Sequence, residues 1–170
     1  MHSSARIQTL NSIVDLCGET TIRILHPAQG WPALASVRLP EGESCLVALH
    51  VGSLGKSHRG RDDVERRFQN PGQGKPVTAP FGILPLLVGV WDEQGPPVLV
   101  GMDATRRLGD ETRKSLFVPL QVLQTAQPDG WTEHVSASGE RLIAFRSEEI
   151  SRYAAFRLKG WTRMASRRAA

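Results

Sequence analysis

Cysteine is scarce in this chain. Cys17 and Cys45 are the only two and lack Cys-x-x-Cys spacing, which argues against a disulfide-stapled scaffold and against a cysteine-rich zinc site. Both are expected to be reduced, semi-buried small hydrophobes. Aromatic residues make up 6% and are spaced for a core, which disfavours a platform that stacks single-stranded bases. The longest apolar run, Phe81 to Trp91, is broken by Gly82, Pro85 and Gly89 and is too short to cross a bilayer. The N-terminus lacks the basic-then-apolar order of a signal peptide, so the expected compartment is the cytoplasm, with no membrane partner. Catalytic signatures are missing too. There is no G-x-S-x-G, and His26, His50, His58 and His134 show no HxH or HExxH spacing. Gly55-Lys56-Ser57 matches the end of a phosphate-binding P-loop, but His50 stands where its first glycine belongs and Gly60 interrupts the helix that should follow.

What is present suits a globular protein. The chain has 170 residues, 40% of them apolar, enough to bury a core in one domain. The expected organisation is one domain over 1–160 followed by a basic tail, 161–170. Ile7, Leu10, Ile13 and Val14 recur at helical spacing, with Ser3 or Ser4 as a cap and Gly18 as a stop. Candidate strands follow at Thr20–Leu25, Ala33–Leu39 and Ser44–Val51. The near-continuous apolar pattern of the third is that of a strand covered on both faces. Ile83–Trp91 and Pro97–Met102, joined by Asp92-Glu-Gln-Gly-Pro96, read as a hairpin. An extended segment to Pro119 leads into a helix over Leu120–Gln127. Two further strands, Trp131–Val135 and Glu140–Arg146, precede a helix that opens on Ser147 and buries Ile150, Tyr153 and Ala154, with frayed residues after 160. The fold class is α+β, with a mixed, largely antiparallel sheet of six or seven strands and two to four helices.

The net charge is modest, +4, but the cations are clustered. Lys56, His58, Arg59, Arg61, Arg66 and Arg67 crowd one stretch that ends in Gln69, Asn70 and Pro71. Arg106, Arg107, Arg113 and Lys114 form another group. A third runs from Arg152 to the C-terminus, with six Lys/Arg and no acid. Clustered cations bind phosphates by releasing counterions, and side-chain amides can pair with base edges. The spacing predicts a helix of two to three turns over Arg61–Asn70, with Asp62 and Asp63 at its N-terminus, Val64 and Phe68 facing inward, and Gln69 and Asn70 at its end. The candidate nucleic-acid-binding set is Lys56, His58, Arg59, Arg61, Arg66, Arg67, Gln69, Asn70, Arg106, Arg107, Arg113 and Lys114. With few free aromatics, double-stranded DNA is the expected partner, and no cofactor is required.

An enzymatic alternative rests on Glu65, Asp92 and Asp103. Nucleases of the PD-(D/E)xK class hold Mg²⁺ with such acids and pair them with a lysine. Here no lysine follows Asp103 at the required place, and Glu111-Thr-Arg113 offers an arginine, which does not act as a base. If the chain is an enzyme, it is a metal-dependent endodeoxyribonuclease of this kind.

Several segments resemble domains that accompany bacterial restriction endonucleases. They are Arg59-Gly-Arg61, Glu65-Arg-Arg-Phe-Gln-Asn-Pro71, Leu86–Trp91, Val98–Asp103, and Gly139–Arg146 through Tyr153. The resemblance covers about residues 45–155. It implies a DNA-recognition or effector-type module of a restriction or defence system, with a separate nuclease or methyltransferase subunit as partner. A module that only binds other proteins of such a complex is the remaining reading.

Overall fold

A computed structural model describes residues 2–72 and 74–169, without the side chains of residues 2–4 and 28. The side chains of the proposed caps Ser3 and Ser4, and Gln73 in the loop after Pro71, therefore lie outside the description, and the backbones of both serines fall inside the first helix instead of before it. Among the described residues the chain forms three α-helices and ten strands. They are α1 (His2–Cys17), β1 (Ile22–His26), β2 (Ala33–Arg38), β3 (Ser44–Ser53), β4 (Gly55–Lys56), β5 (Glu65–Gln69), β6 (Leu84–Trp91), β7 (Val98–Met102), β8 (Ser115–Pro119), α2 (Leu120–Asp129), β9 (Trp131–Val135), β10 (Arg141–Arg146) and α3 (Ile150–Ala169). The fold is α+β, as the sequence indicates.

Seven strands make the main sheet, in the order β1-β2-β3-β6-β7-β10-β9. All its neighbours are antiparallel except β3 and β6, which run parallel with Val47 opposite Leu84 and Ser53 opposite Val90. A parallel pair needs a long crossover. Here the crossover is the basic stretch itself. Instead of a helix it carries β4 and β5, which β8 completes as a second, three-stranded sheet in the order β4-β5-β8.

Strand alternation divides the core into two layers. Leu86, Val88, Val90, Leu99, Ile143 and Phe145 face Leu10 and Ile13 of α1 and Ile150, Tyr153 and Ala154 of α3. On the other face Leu87, Trp91, Val98, Val100, Leu142 and Ala144 meet Phe68 of β5, Leu116 and Val118 of β8, and Leu123 and Ala126 of α2. The small sheet is therefore pinned by apolar burial, with Phe68 as its main anchor. The Phe68 ring seats where the main sheet has no side chains. A Cβ at Gly52 would meet the ring at 2.7 Å, and one at Gly89 would collide with Leu54 and crowd Phe68.

Two local expectations are corrected. The helix over Arg61–Asn70 does not form. Residues Glu65–Gln69 are β5, paired with β8 from Glu65 opposite Pro119 to Gln69 opposite Ser115. Backbone partners some fifty residues away thus outweigh a weak local helical bias. Val64 then lies outside the strand and is exposed, while Phe68 is buried. Asp62 caps no helix, and its carboxylate accepts from the backbone N–H of His58 and the hydroxyl of Ser57. The second correction concerns the end of the chain, where α3 continues through the residues expected to fray and reaches Ala169.

Candidate nucleic-acid interface

Because residues 65–69 form a strand, their side chains alternate between two faces. Arg66 and Phe68 point toward the main sheet, and Asn70 follows in the same phase. Arg66 is buried, donating from Nη2 to Glu93 Oε2 at 2.6 Å and from Nε at 2.8 Å, and also reaching the carbonyl oxygens of Asp62 and Glu65. Asn70 is 3% exposed. Its backbone N–H donates to Lys114 O at 3.0 Å, while neither atom of its side-chain amide has a partner among the described residues. Glu65, Arg67 and Gln69 take the opposite phase. Glu65 is held by Arg59 at 3.0 Å and by Arg61 at 3.7 Å, and the Arg59 guanidinium stacks 3.5 Å from the centre of the Phe117 ring. Gln69 donates from Nε2 to Ser115 Oγ at 3.2 Å.

Arg67 and Gln69 open into a cleft of about 360 Å³ between the small sheet, the end of β3 and the first turns of α1. Its polar and charged lining comes from Arg6, Thr9, Ser53, Lys56, His58, Arg67 and Gln69, with Trp31 at the back. No carboxylate lines it. Among the described residues Lys56 and Arg67 make no ion pair, and Arg6 Nη1 is buried without a hydrogen-bond partner. Burial lowers the Arg6 pKa, because its charge is desolvated with nothing opposite to compensate it. The loop beside the cleft has a fixed shape. His58 adopts φ 57°, a left-handed conformation uncommon outside glycine, and the Asp62 carboxylate grips its N–H at 2.9 Å. The same hydrogen bond is the main reason that the Asp62 pKa falls below the usual carboxylate range.

The second basic group is placed differently. Arg107 is buried and donates two hydrogen bonds of 2.6 Å to Glu140, whose other tie is the backbone N–H of Asp103 at 3.0 Å. Arg106 reaches the carbonyl oxygens of Ser138 and Gly139. Lys114 pairs with Asp110. Arg113 is exposed, packs beside Gly72 and makes no ion pair among the described residues. The β5–β8 ladder puts Lys114 and Ser115 next to Gln69 and Asn70, so the two segments meet at one corner of the small sheet. Arg106 and Arg107 do not line the cleft; they share a hollow with Lys114, Ser115, Ser138 and Glu140.

His50 takes no part in the cleft lining. It is fully buried, donating from Nδ1 to Leu86 O at 3.2 Å and accepting at Nε2 from the Thr78 N–H at 3.1 Å, with its ring edge-on to Trp31. Burial pushes its pKa down to about 4. It is a neutral tie between sheet and crossover. The acids of the nuclease alternative are not gathered either. Glu65 is paired with arginines, Asp103 accepts from the N–H and hydroxyl of Thr105, and Asp92 sits exposed in the β6–β7 turn. Among the described residues no three His, Cys, Asp or Glu side chains are grouped to hold a metal ion, and no helix is long and apolar enough to cross a membrane.

Sequence reasoning missed Thr9, Trp31 and Ser53 of the cleft and, most consequentially, Arg6. It sits on a helix whose apolar stripe drew attention to the core, and its neighbours in the cleft come from four other segments. A family model described as Methylase-associated X1 matches residues 46–154, from β3 into the first turn of α3. No curated protein and no solved structure matches the chain.

Proposed function

Starting from the fact that the chain belongs to the Methylase-associated X1 family, we propose that it is a non-catalytic duplex-DNA-binding module working beside a methylase in a restriction or defence system. The observation that carries this reading is the cleft in which Arg6, Lys56 and Arg67 converge with no carboxylate among its lining residues. Elsewhere in the small sheet and its loops Arg59, Arg61 and Arg66 find acids. A cation left without a partner beside two others is an electrostatic cost to the fold, and a phosphate backbone removes that cost on binding. Arg113 extends the positive track at the same corner. Gln69, on the same face as Arg67, is placed to meet a base edge once phosphates fix the register. Arg66 and Arg107 serve the frame that holds the cleft. Duplex suits the site better than single strands, because Trp31 and Phe68 are buried and Phe117 is occupied by Arg59.

The test is retention on duplex DNA across a salt series. Three phosphate contacts give a slope of log K against log salt of about −2.7, at about −0.9 per phosphate. Replacing Arg6, Lys56 and Arg67 together by Gln is expected to remove that component with the melting temperature held. Absence of retention by the wild-type chain at low salt, on both modified and unmodified duplex, refutes the reading. The family description favours a second contact, with the methylase itself. Co-purification with a methylase and no DNA affinity would make the module a protein adaptor.

A further inference from the structure

The C-terminal half of α3 carries a charge pattern that the cleft does not use. From Arg152 onward the chain has six Lys/Arg and no acid. The ion pair of this helix among the described residues joins Arg152 to Glu149, at the helix start. Lys159, Arg163, Arg167 and Arg168 are exposed and make no ion pair among the described residues. Lys159, Arg163 and Arg167 recur every four residues and so form one stripe about 12 Å long. Their spacing of about 6 Å along the helix approaches twice the ~3.4 Å rise between phosphates on one DNA strand.

The apolar side of this half-helix is already engaged. Leu158 and Trp161 pack on the core, and the Trp161 indole N–H donates to Gly82 O at 3.2 Å. Phe81, next to Gly82, is fully exposed, but the regular spacing of three cations along the helix suits a phosphate polymer better than a lipid layer. Gly82 lies just before β6, and Leu84 at the start of β6 pairs with Val47 of the parallel strand β3. The cleft lies at the other end of that strand, against Val51, Gly52 and Ser53. The two basic surfaces thus sit at opposite ends of the β3–β6 pair, roughly 20 Å apart along the strands.

We infer that Lys159, Arg163 and Arg167 form a second, sequence-independent track for the DNA backbone, separate from the cleft. The inference rests on the duplex-binding reading of the cleft and adds a second surface, which one duplex reaches by wrapping or a second duplex fills alone. The bland account of these cations is that they complement the negative C-terminal end of the helix dipole. That account makes no demand on DNA binding.

The experiment compares the full-length chain with K159Q/R163Q/R167Q on a duplex of 30 or more base pairs, over 50–200 mM salt. Gln keeps helix propensity close to that of Lys and Arg, and far-UV circular dichroism checks α3. The expected result is a salt slope shallower by about 2 to 3 units. That loss should appear on every sequence and add to the loss caused by changing Arg6, Lys56 and Arg67. The charge-keeping variant R163K/R167K should retain the full slope. An unchanged slope in the triple Gln variant, while the cleft variant loses binding, overturns the second track and leaves the cleft reading intact. Loss of binding to phosphatidylserine-containing vesicles with duplex binding unchanged overturns it in favour of a membrane surface. Equal weakening in K159Q/R163Q/R167Q and R163K/R167K also overturns it, since charge would then not be the cause. A wild-type chain that ignores duplex at every salt concentration refutes both readings.

Discussion

Arg66 and Arg67 are neighbours of the same type in one strand, and their surroundings differ in nearly every respect. Arg66 is buried, locked to Glu93 and to two carbonyl oxygens. Arg67 is half-buried in a cleft without acids and has no ion pair among the described residues. The alternation of a strand separates them, and the Phe68 anchor decides which goes inside. The same contrast divides Arg107, sealed against Glu140, from Arg113, which lies open beside Gly72. A count of positive charge in this chain therefore overstates the surface available to an anion, because part of it neutralises buried carboxylates. The informative cations are the ones the fold leaves without a counter-charge.

The strongest way to probe this contrast is Arg107→Ala. It leaves Glu140 buried and unpaired, which is expected to cost about 3–5 kcal/mol. The melting temperature should drop steeply, with duplex affinity per folded molecule unchanged. A variant of near wild-type stability would show that Glu140 does not depend on its arginine.

Acid should loosen the frame next. His50 titrates near 6.5 when unfolded and near 4 in the fold, because burial disfavours its charged form. The unfolded chain therefore takes up the proton first. The stability contributed by the neutral ring is fully present above pH 6.5 and is lost as pH falls toward 4. A shift of this size corresponds to roughly 3 kcal/mol. Urea melts at pH 7, 5.5 and 4.5 should follow this decline, and His50→Gln should flatten it. A wild-type curve already flat over that range would contradict the assignment.

Arg66→Ala should cost about 2 kcal/mol, less than Arg107→Ala, because Glu93 is partly exposed and regains water. Affinity for duplex should again stay put once the folded fraction is taken into account. Gln69→Ala should cost about 1–3 kcal/mol of binding on a preferred sequence and nothing on others. A uniform loss would move Gln69 from reading to positioning. The smallest change is expected from Arg67→Ala. It should leave the melting temperature close to wild type and lower the salt slope by about one unit on all duplexes. If thermal melts place Arg67→Ala beside Arg66→Ala, the contrast between the two faces of β5 fails.

The sequence by itself determined the fold class, most element positions and the central hairpin. Apolar alternation and continuous apolar runs record burial locally, and Gly/Pro turn signals punctuate them. It also marked the basic stretch and the candidate residues Lys56, His58, Arg67 and Gln69 that share the cleft. Only the tertiary structure decided which cations stay free. The partners of Arg66 and Arg107 lie about thirty residues away, and the backbone partners of β5 lie on β8, some fifty residues on. Local spacing favours a helix over 61–70 because charged and amide residues there carry little strand signal of their own. The pairing that overrides it comes from burying Phe68 against Gly52 and Gly89, one residue on each strand of the parallel pair. Arg6 joined the cleft for a similar reason. It belongs to α1, and the packing of that helix against β3 and Trp31 is a long-range event that no window of neighbouring residues encodes.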